Sequence, residues 1–231
     1  VKTNFFLKIM TEKKQTIADS ILFSGLSDEE LDKVAAIAVV KTFGRGESIF
    51  FEGDEADGFY MVLEGRVKIF KMSLEGKEQI LHIFGPGEPF GEVPVFHAQP
   101  FPANALALVK CRLLYFPRRE FVELVTGNPS LALNMLAMLS LRLRRFANQI
   151  ESLSLKEVPG RLSAYLIYLA EEQGSRTAVT LDIPKGQLAS LLGTIPETLS
   201  RIFARMTEEG LIRVEGRTIY IDDFEGLQER E

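Results

Sequence analysis

From Pro129 to Pro159 the chain carries no glycine and no other proline. Inside that stretch Leu136, Leu139, Leu143, Phe146, Ile150 and Leu153 recur at steps of 3, 4, 3, 4 and 3. Such spacing puts six large apolar side chains on one narrow stripe of a helix, the a/d seam along which two helices pack lengthwise. Asn128 can cap this helix, and Pro129 suits its first turn, where a missing N–H costs nothing. A helix lying only on its own domain needs one apolar stripe. Here Leu131, Leu133, Met135, Met138 and Leu141 lie off the seam. One stripe is expected to cover the neighbouring domain while the other faces a twin helix. Residues 128–157 are therefore read as a long helix that dimerises in parallel.

Ahead of it, residues 1–127 read as mostly β. Ile49–Phe51, Phe59–Leu63, Val67–Phe70 and Gln79–Phe84 are short runs rich in β-branched and aromatic residues. Gly44/Gly46, Gly53, Gly65, Gly76, Gly85/Gly87 and Gly91 separate them. Short strands punctuated by glycine turns predict a jelly-roll or barrel. Ser27 followed by Glu30 predicts a capping box at the start of a helix that precedes the strands.

Behind the long helix, residues 158–231 read as a small helical domain ending in a hairpin. Leu162, Tyr165, Leu166 and Leu169 form one helical stripe. Ile183–Met206 then gives a short helix, a turn at Gly193 and a second helix, a helix-turn-helix plan. Leu211–Val214 and Thr218–Ile221, joined through Glu215-Gly216, form a wing. In the second helix Leu199, Ile202, Phe203 and Met206 make a core stripe, and Thr194 is expected to cap it. The opposite face carries Glu197, Ser200, Arg201, Ala204 and Arg205. A major groove admits one such helix, arginine can donate two hydrogen bonds to guanine, and glutamate can accept from cytosine. Glu197 and Arg201, four residues apart, are expected to pair with each other while reading bases. Thr198 and Ser200 add short polar contacts. Lys185, Arg205 and Arg217 are placed for phosphates, which set register without reading sequence.

Charge distribution permits this. The 231 residues carry a net charge of −5. Residues 1–127 hold 15 basic and 18 acidic side chains, whereas 128–221 hold 11 basic and 9 acidic. The acidity belongs to the front and the tail. With 46% hydrophobic and 26% charged residues, the chain has ordinary globular composition. No apolar run approaches the ~18 residues of a membrane span. Phe5-Phe6-Leu7 is followed by Lys8 with no small-residue cleavage site, so no secretory signal is expected. The single cysteine, Cys111, excludes a disulfide framework or an iron–sulfur cluster built within one chain and points to a reducing, cytoplasmic setting. Ser163 and His82 lack an acid partner in the sequence, and no nucleophile motif or P-loop is present. An enzyme is not expected.

At the string Glu197-Thr198-Leu199-Ser200-Arg201 the sequence resembles the Crp/Fnr family of bacterial transcription regulators. The likeness extends through the barrel, Gly91-Glu92, the long helix, Gly160-Arg161 and the wing. The string is similar to the Fnr-type recognition helix, and Pro196 stands where the Crp type has arginine. The resemblance implies a homodimer on a palindrome of TTGAT-like half-sites in double-stranded DNA. It also implies a small-molecule or gas effector in the barrel, a hinge near Glu157–Gly160, and recruitment or blocking of RNA polymerase. No membrane partner is expected.

The family's cyclic-nucleotide pocket has Gly-Glu followed by Arg-Ser. Gly91 and Glu92 are present, but the Arg and Ser positions hold Pro102 and Ala103, and the long-helix hydroxyl positions hold Phe146 and Ala147. Cyclic AMP is therefore not expected, and a cyclic-nucleotide-binding module without DNA binding is the alternative class. The pattern from Phe90 to Phe96 and from Gln99 to Ala105 resembles the Dnr-like and HcpR-like branches, which respond to nitric oxide and nitrosative stress and are thought to use haem. Gly91, Glu92, His82 and Phe146 are the candidate effector pocket. His82 is the candidate haem ligand, with His97 and the helix residues Met135 and Met138 weaker ones. Cys111 reads as a small buried hydrophobe.

Overall fold

The computed structural model describes residues 2–92 and 99–230. The chain divides into two compact units, Val1–Lys71 with Leu81–Leu143, and Met72–Ile80 with Arg144–Glu231.

Helices open the first unit: α1 (Lys2–Ala18), a 3-10 turn at Ile21–Phe23, and α2 (Asp28–Ile37). The capping box forms as expected. Ser27 Oγ accepts the Glu30 N–H at 3.3 Å and Glu30 Oε2 accepts the Ser27 N–H at 2.7 Å. The bond from the Ser27 backbone is the main reason the Glu30 carboxyl is held below the usual range. Eight strands follow: β1 (Val39–Phe43), β2 (Ser48–Phe50), β3 (Gly58–Glu64), β4 (Val67–Met72), β5 (Glu78–Phe84), β6 (Pro89–Phe90), β7 (Asn104–Ala107) and β8 (Cys111–Pro117). They pair as two four-stranded sheets, β1-β8-β3-β6 and β2-β7-β4-β5. The jelly-roll is thus an open sandwich and not a closed barrel. One edge stops at β6, which is two residues long and begins with a proline that has no N–H to extend a ladder.

Two apolar clusters hold this unit. In one, Ile17, Phe23, Val34 and Phe121 meet Phe59, Met61, Leu114 and Phe116 of the β1-β8-β3-β6 sheet. Phe59 stacks on Phe116 at 4.8 Å, and Phe121 meets Phe59 edge-on at 4.6 Å. In the other, Phe50, Tyr60, Phe84, Phe90, Phe101 and Leu113 pack together. Burial pushes the Tyr60 phenol up to about 12, with a smaller push from Tyr115.

After β8 come α3 (Arg118–Gly127) and α4 (Pro129–Leu155), which meet at a bend of 111°. The corner is Asn128, whose position before a proline disfavours the helical conformation and whose φ is −137°. Its Oδ1 accepts the N–H groups of Ser130 and Leu131 at 3.0 and 3.3 Å, the expected cap. Leu131, Met135 and Met138 join the first apolar cluster. Leu133 and Leu141, grouped with them in the sequence reading, point outward instead. So do Leu136, Leu139, Leu143, Phe146 and Ile150, with Leu143 72% exposed, while Leu153 is half-buried.

The second unit continues from the end of α4 with α5 (Val158–Glu172), β9 (Ala178–Thr180), α6 (Lys185–Leu191), α7 (Pro196–Glu208), β10 (Ile212–Glu215), β11 (Thr218–Ile221) and α8 (Phe224–Glu229). β10 and β11 form the hairpin with Val214 opposite Ile219, and β9 adds a third strand that the sequence did not signal. Among the described residues, no single helix is long and apolar enough to cross a membrane.

Candidate nucleic-acid interface and sensor site

α6 and α7 are joined by a tight turn. Gly193 takes φ +66°, a left-handed conformation that other residues rarely adopt. The Thr194 N–H closes the turn on the Ala189 carbonyl at 2.9 Å. Thr194 does not cap α7. The cap position is Ile195, extended at φ −106° and ψ 155°, and its side chain makes no capping bond. Pro196 occupies the first turn. Leu199, Phe203 and Met206 are fully buried, which turns Pro196, Glu197, Ser200, Arg201, Ala204 and Arg205 outward, with Thr198 half-buried beside them.

On that outer face Ser200 Oγ donates to the Pro196 carbonyl at 2.9 Å, which leaves its lone pairs open to an incoming donor. The expected Glu197–Arg201 ion pair does not form: among the described residues no bond joins them. An exposed pair four residues apart is worth only ~0.3–0.5 kcal/mol, too little to hold two long side chains still. Arg205 is tied to Glu209 at 3.2 Å, and Glu209 reaches Arg230 at 2.6 Å. The Arg230 guanidinium is the main cause of the lowered Glu209 carboxyl. Lys185 is exposed at the start of α6, its ammonium 5.0 Å above the Phe203 ring. Arg217 is exposed in the wing turn, where its carbonyl accepts the Leu181 N–H at 2.8 Å.

In the sensor unit Gly91 has φ +71°, and a Cβ there would come within 3.1 Å of Phe101 and 3.3 Å of Phe50. It turns the chain so that Glu92 is buried, 2% exposed. Glu92 Oε1 accepts from Arg142 Nη1, and Arg142 Nη2 donates to the Pro89 carbonyl. The guanidinium lies 5.2 Å from the centre of the Phe84 ring. Glu92 Oε2 is buried with no hydrogen-bond partner among the described residues.

Arg142 was missed by the sequence reading, yet a signal existed. Leu131, Met135, Met138 and Arg142 step by 4, 3 and 4, so a cation stands on the buried stripe of α4 and requires a buried carboxylate.

Of the other sensor candidates, His82 meets the same Phe84 ring that the Arg142 guanidinium lies over. His82 is half-buried on β5, with Nε2 3.7 Å from Glu88 Oε1 and its ring edge-on to Phe84 at 4.5 Å. Phe146 is on the exposed side of α4. The Pro102 carbonyl accepts from Lys71 at 2.9 Å, but that ammonium is already neutralised by Glu52. Ala103 is buried. Phe50 and Phe101 stack at 3.7 Å, and Phe84 and Phe90 close the same cluster. Met135 and Met138 are spent in the other apolar cluster. His97, with Val93–Phe96, lies outside the described residues. Cys111 is a buried small residue, its thiol donating to the carbonyls of Arg66 and Val109 at 3.2 Å and pushed up by burial.

Comparison with known proteins finds relatives for both parts of the chain. Residues 40–128 match the family described as "Cyclic nucleotide-binding domain", and residues 160–230 match the "Crp-like helix-turn-helix domain". A "CRP-like cAMP-activated global transcriptional regulator" of Mycobacterium tuberculosis is 30% identical over 220 residues, 94% of this chain and 98% of that protein. The "Cyclic AMP receptor protein" of Thermus thermophilus is 33% identical over 210 residues, 91% and 96% of the two chains. The solved structure of FixK2 from Bradyrhizobium japonicum superposes with a TM-score of 0.75 at 21% identity, covering 84% of this chain and 98% of that one, and shares the fold. With a cyclic-nucleotide-binding match over 40–128, a Crp-like helix-turn-helix match over 160–230 and relatives 30% and 33% identical over nearly their whole length, the chain belongs to the Crp/Fnr family of DNA-binding transcription regulators.

Proposed function

We propose that the chain acts as a homodimer that reads an Fnr-like palindrome through α7 and answers to a small-molecule or gas effector at its sensor domain, in the cytoplasm. One observation carries the reading. α7 buries Leu199, Phe203 and Met206 and leaves Glu197, Ser200 and Arg201 exposed on the other side, without ion-pair partners among the described residues. The exposed leucines of α4 supply the surface for a second copy, and two such copies set half-sites about 34–36 Å apart. Lys185, Arg205 and Arg217 serve as phosphate contacts, and polymerase recruitment or blocking is the output.

The relatives are named for cyclic AMP. Here Pro102 and Ala103 offer a cyclic phosphate neither guanidinium nor hydroxyl, and a buried unpaired charge costs several kcal/mol. Cyclic AMP is accordingly not the proposed effector. The resemblance to the nitric-oxide branches supports a gas or a small organic ligand in its place. A shift from mostly off to mostly on requires that effector to prefer the DNA-competent state by roughly 10⁴-fold.

A gel-shift titration with a palindrome of TTGAT half-sites against shuffled DNA tests the reading. Tight, sequence-dependent retardation is expected. Equal affinity for both duplexes would overturn it.

A further inference from the structure

The residue at the cap of α7 is of the wrong chemistry for its place. Cap positions favour Ser, Thr, Asp or Asn, whose side chains bond a free N–H of the first turn. Ile195 makes no such bond and stands 51% exposed, a branched apolar side chain at the edge of a face whose long side chains, Glu197, Arg201 and Arg205, are charged. Its backbone is held. A residue before proline is confined to extended conformations, the next residue's φ is fixed by its ring, and Ile195 adopts φ −106° and ψ 155°. β-Branching restricts χ1 as well. A rigid apolar group is thus presented at the end of the helix that faces base edges in a major groove. The major-groove edges of the four bases carry one apolar group among them, the C5-methyl of thymine.

We infer that Ile195 is a specificity-determining residue that packs on a thymine methyl in each half-site. The inference rests on the reading of α7 as the DNA-reading helix. It assigns Ile195 a different task from Glu197 and Arg201: shape and apolar contact in place of hydrogen bonding.

The experiment uses the full chain and the duplex that it enriches from random-sequence DNA. Each thymine of one half-site is replaced in turn by deoxyuridine, which removes only the methyl. For the wild type, one position is expected to weaken binding about four-fold, the value of one buried methyl-sized group. Ile195→Ala should bind the intact site about four-fold more weakly or worse, keep the wild-type circular dichroism, and show no further loss on deoxyuridine at that position. An Ile195→Ala protein as methyl-sensitive as the wild type, or a wild type indifferent to every thymine methyl, overturns the inference. Arg201→Ala on the same duplex separates the two levels. If it too leaves affinity unchanged, α7 is not the reading helix and the inference falls with it.

Discussion

α4 and α7 are built alike and finished differently. Each buries one stripe in its own unit, Leu131, Met135 and Met138 on α4 and Leu199, Phe203 and Met206 on α7. Each exposes another. On α7 the exposed stripe is polar and stable in water as it stands. On α4 it is Leu136, Leu139, Leu143, Phe146 and Ile150, and fully burying each such side chain is worth about 1.5–3 kcal/mol. The first stripe is complete in one chain and waits for a polar partner. The second is incomplete in one chain, which is why we propose a second copy on it.

Four substitutions press on that contrast. The largest effect is expected from Leu143→Asp, which would bury two charges in the proposed seam at several kcal/mol each; sedimentation should then show monomers, and a retained dimer would mean that the exposed stripe is not the interface. Leu131→Ala, on the covered stripe of the same helix, should lower the unfolding free energy by about 2–5 kcal/mol in urea titrations while leaving the dimer intact. On α7, Arg201→Ala should cost about 1–3 kcal/mol on the specific site and little on random DNA; equal losses on both would make Arg201 a phosphate contact. The smallest change belongs to Lys185→Ala, for which the slope of log affinity against log salt should flatten by about one unit across all sequences.

The sequence was most legible where a local rule acts alone. Ser27 with Glu30, Asn128 before Pro129, the long helix and the α6–Gly193–α7 turn each depend on residues within a few positions of one another, and each appears in the structure. Reading failed where distant residues decide. β8 runs along β3 and β1, and the run Cys111–Pro117 carried no glycine punctuation to announce a strand. α3 was absorbed into the β region because its ten residues, Arg118–Gly127, follow β8 directly and start at Pro117, whose side chain makes no capping bond to announce a helix. α1 carries no acidic residue in its first turn and no basic residue in its last. The sensor site was the least legible part. Gly91 and Glu92 were recognised by resemblance, but their partner Arg142 lies fifty residues on, and only its place on a buried stripe marks it.

That partner changes what occupying the sensor would mean. Glu92 already holds a guanidinium, which in turn holds the Pro89 carbonyl and lies over Phe84. A newcomer that takes the carboxylate from Arg142 binds by exchange and not by addition. Its observed affinity is reduced by the fraction of molecules in which the internal cation has let go, and each arrival releases one arginine of α4 to find another acceptor.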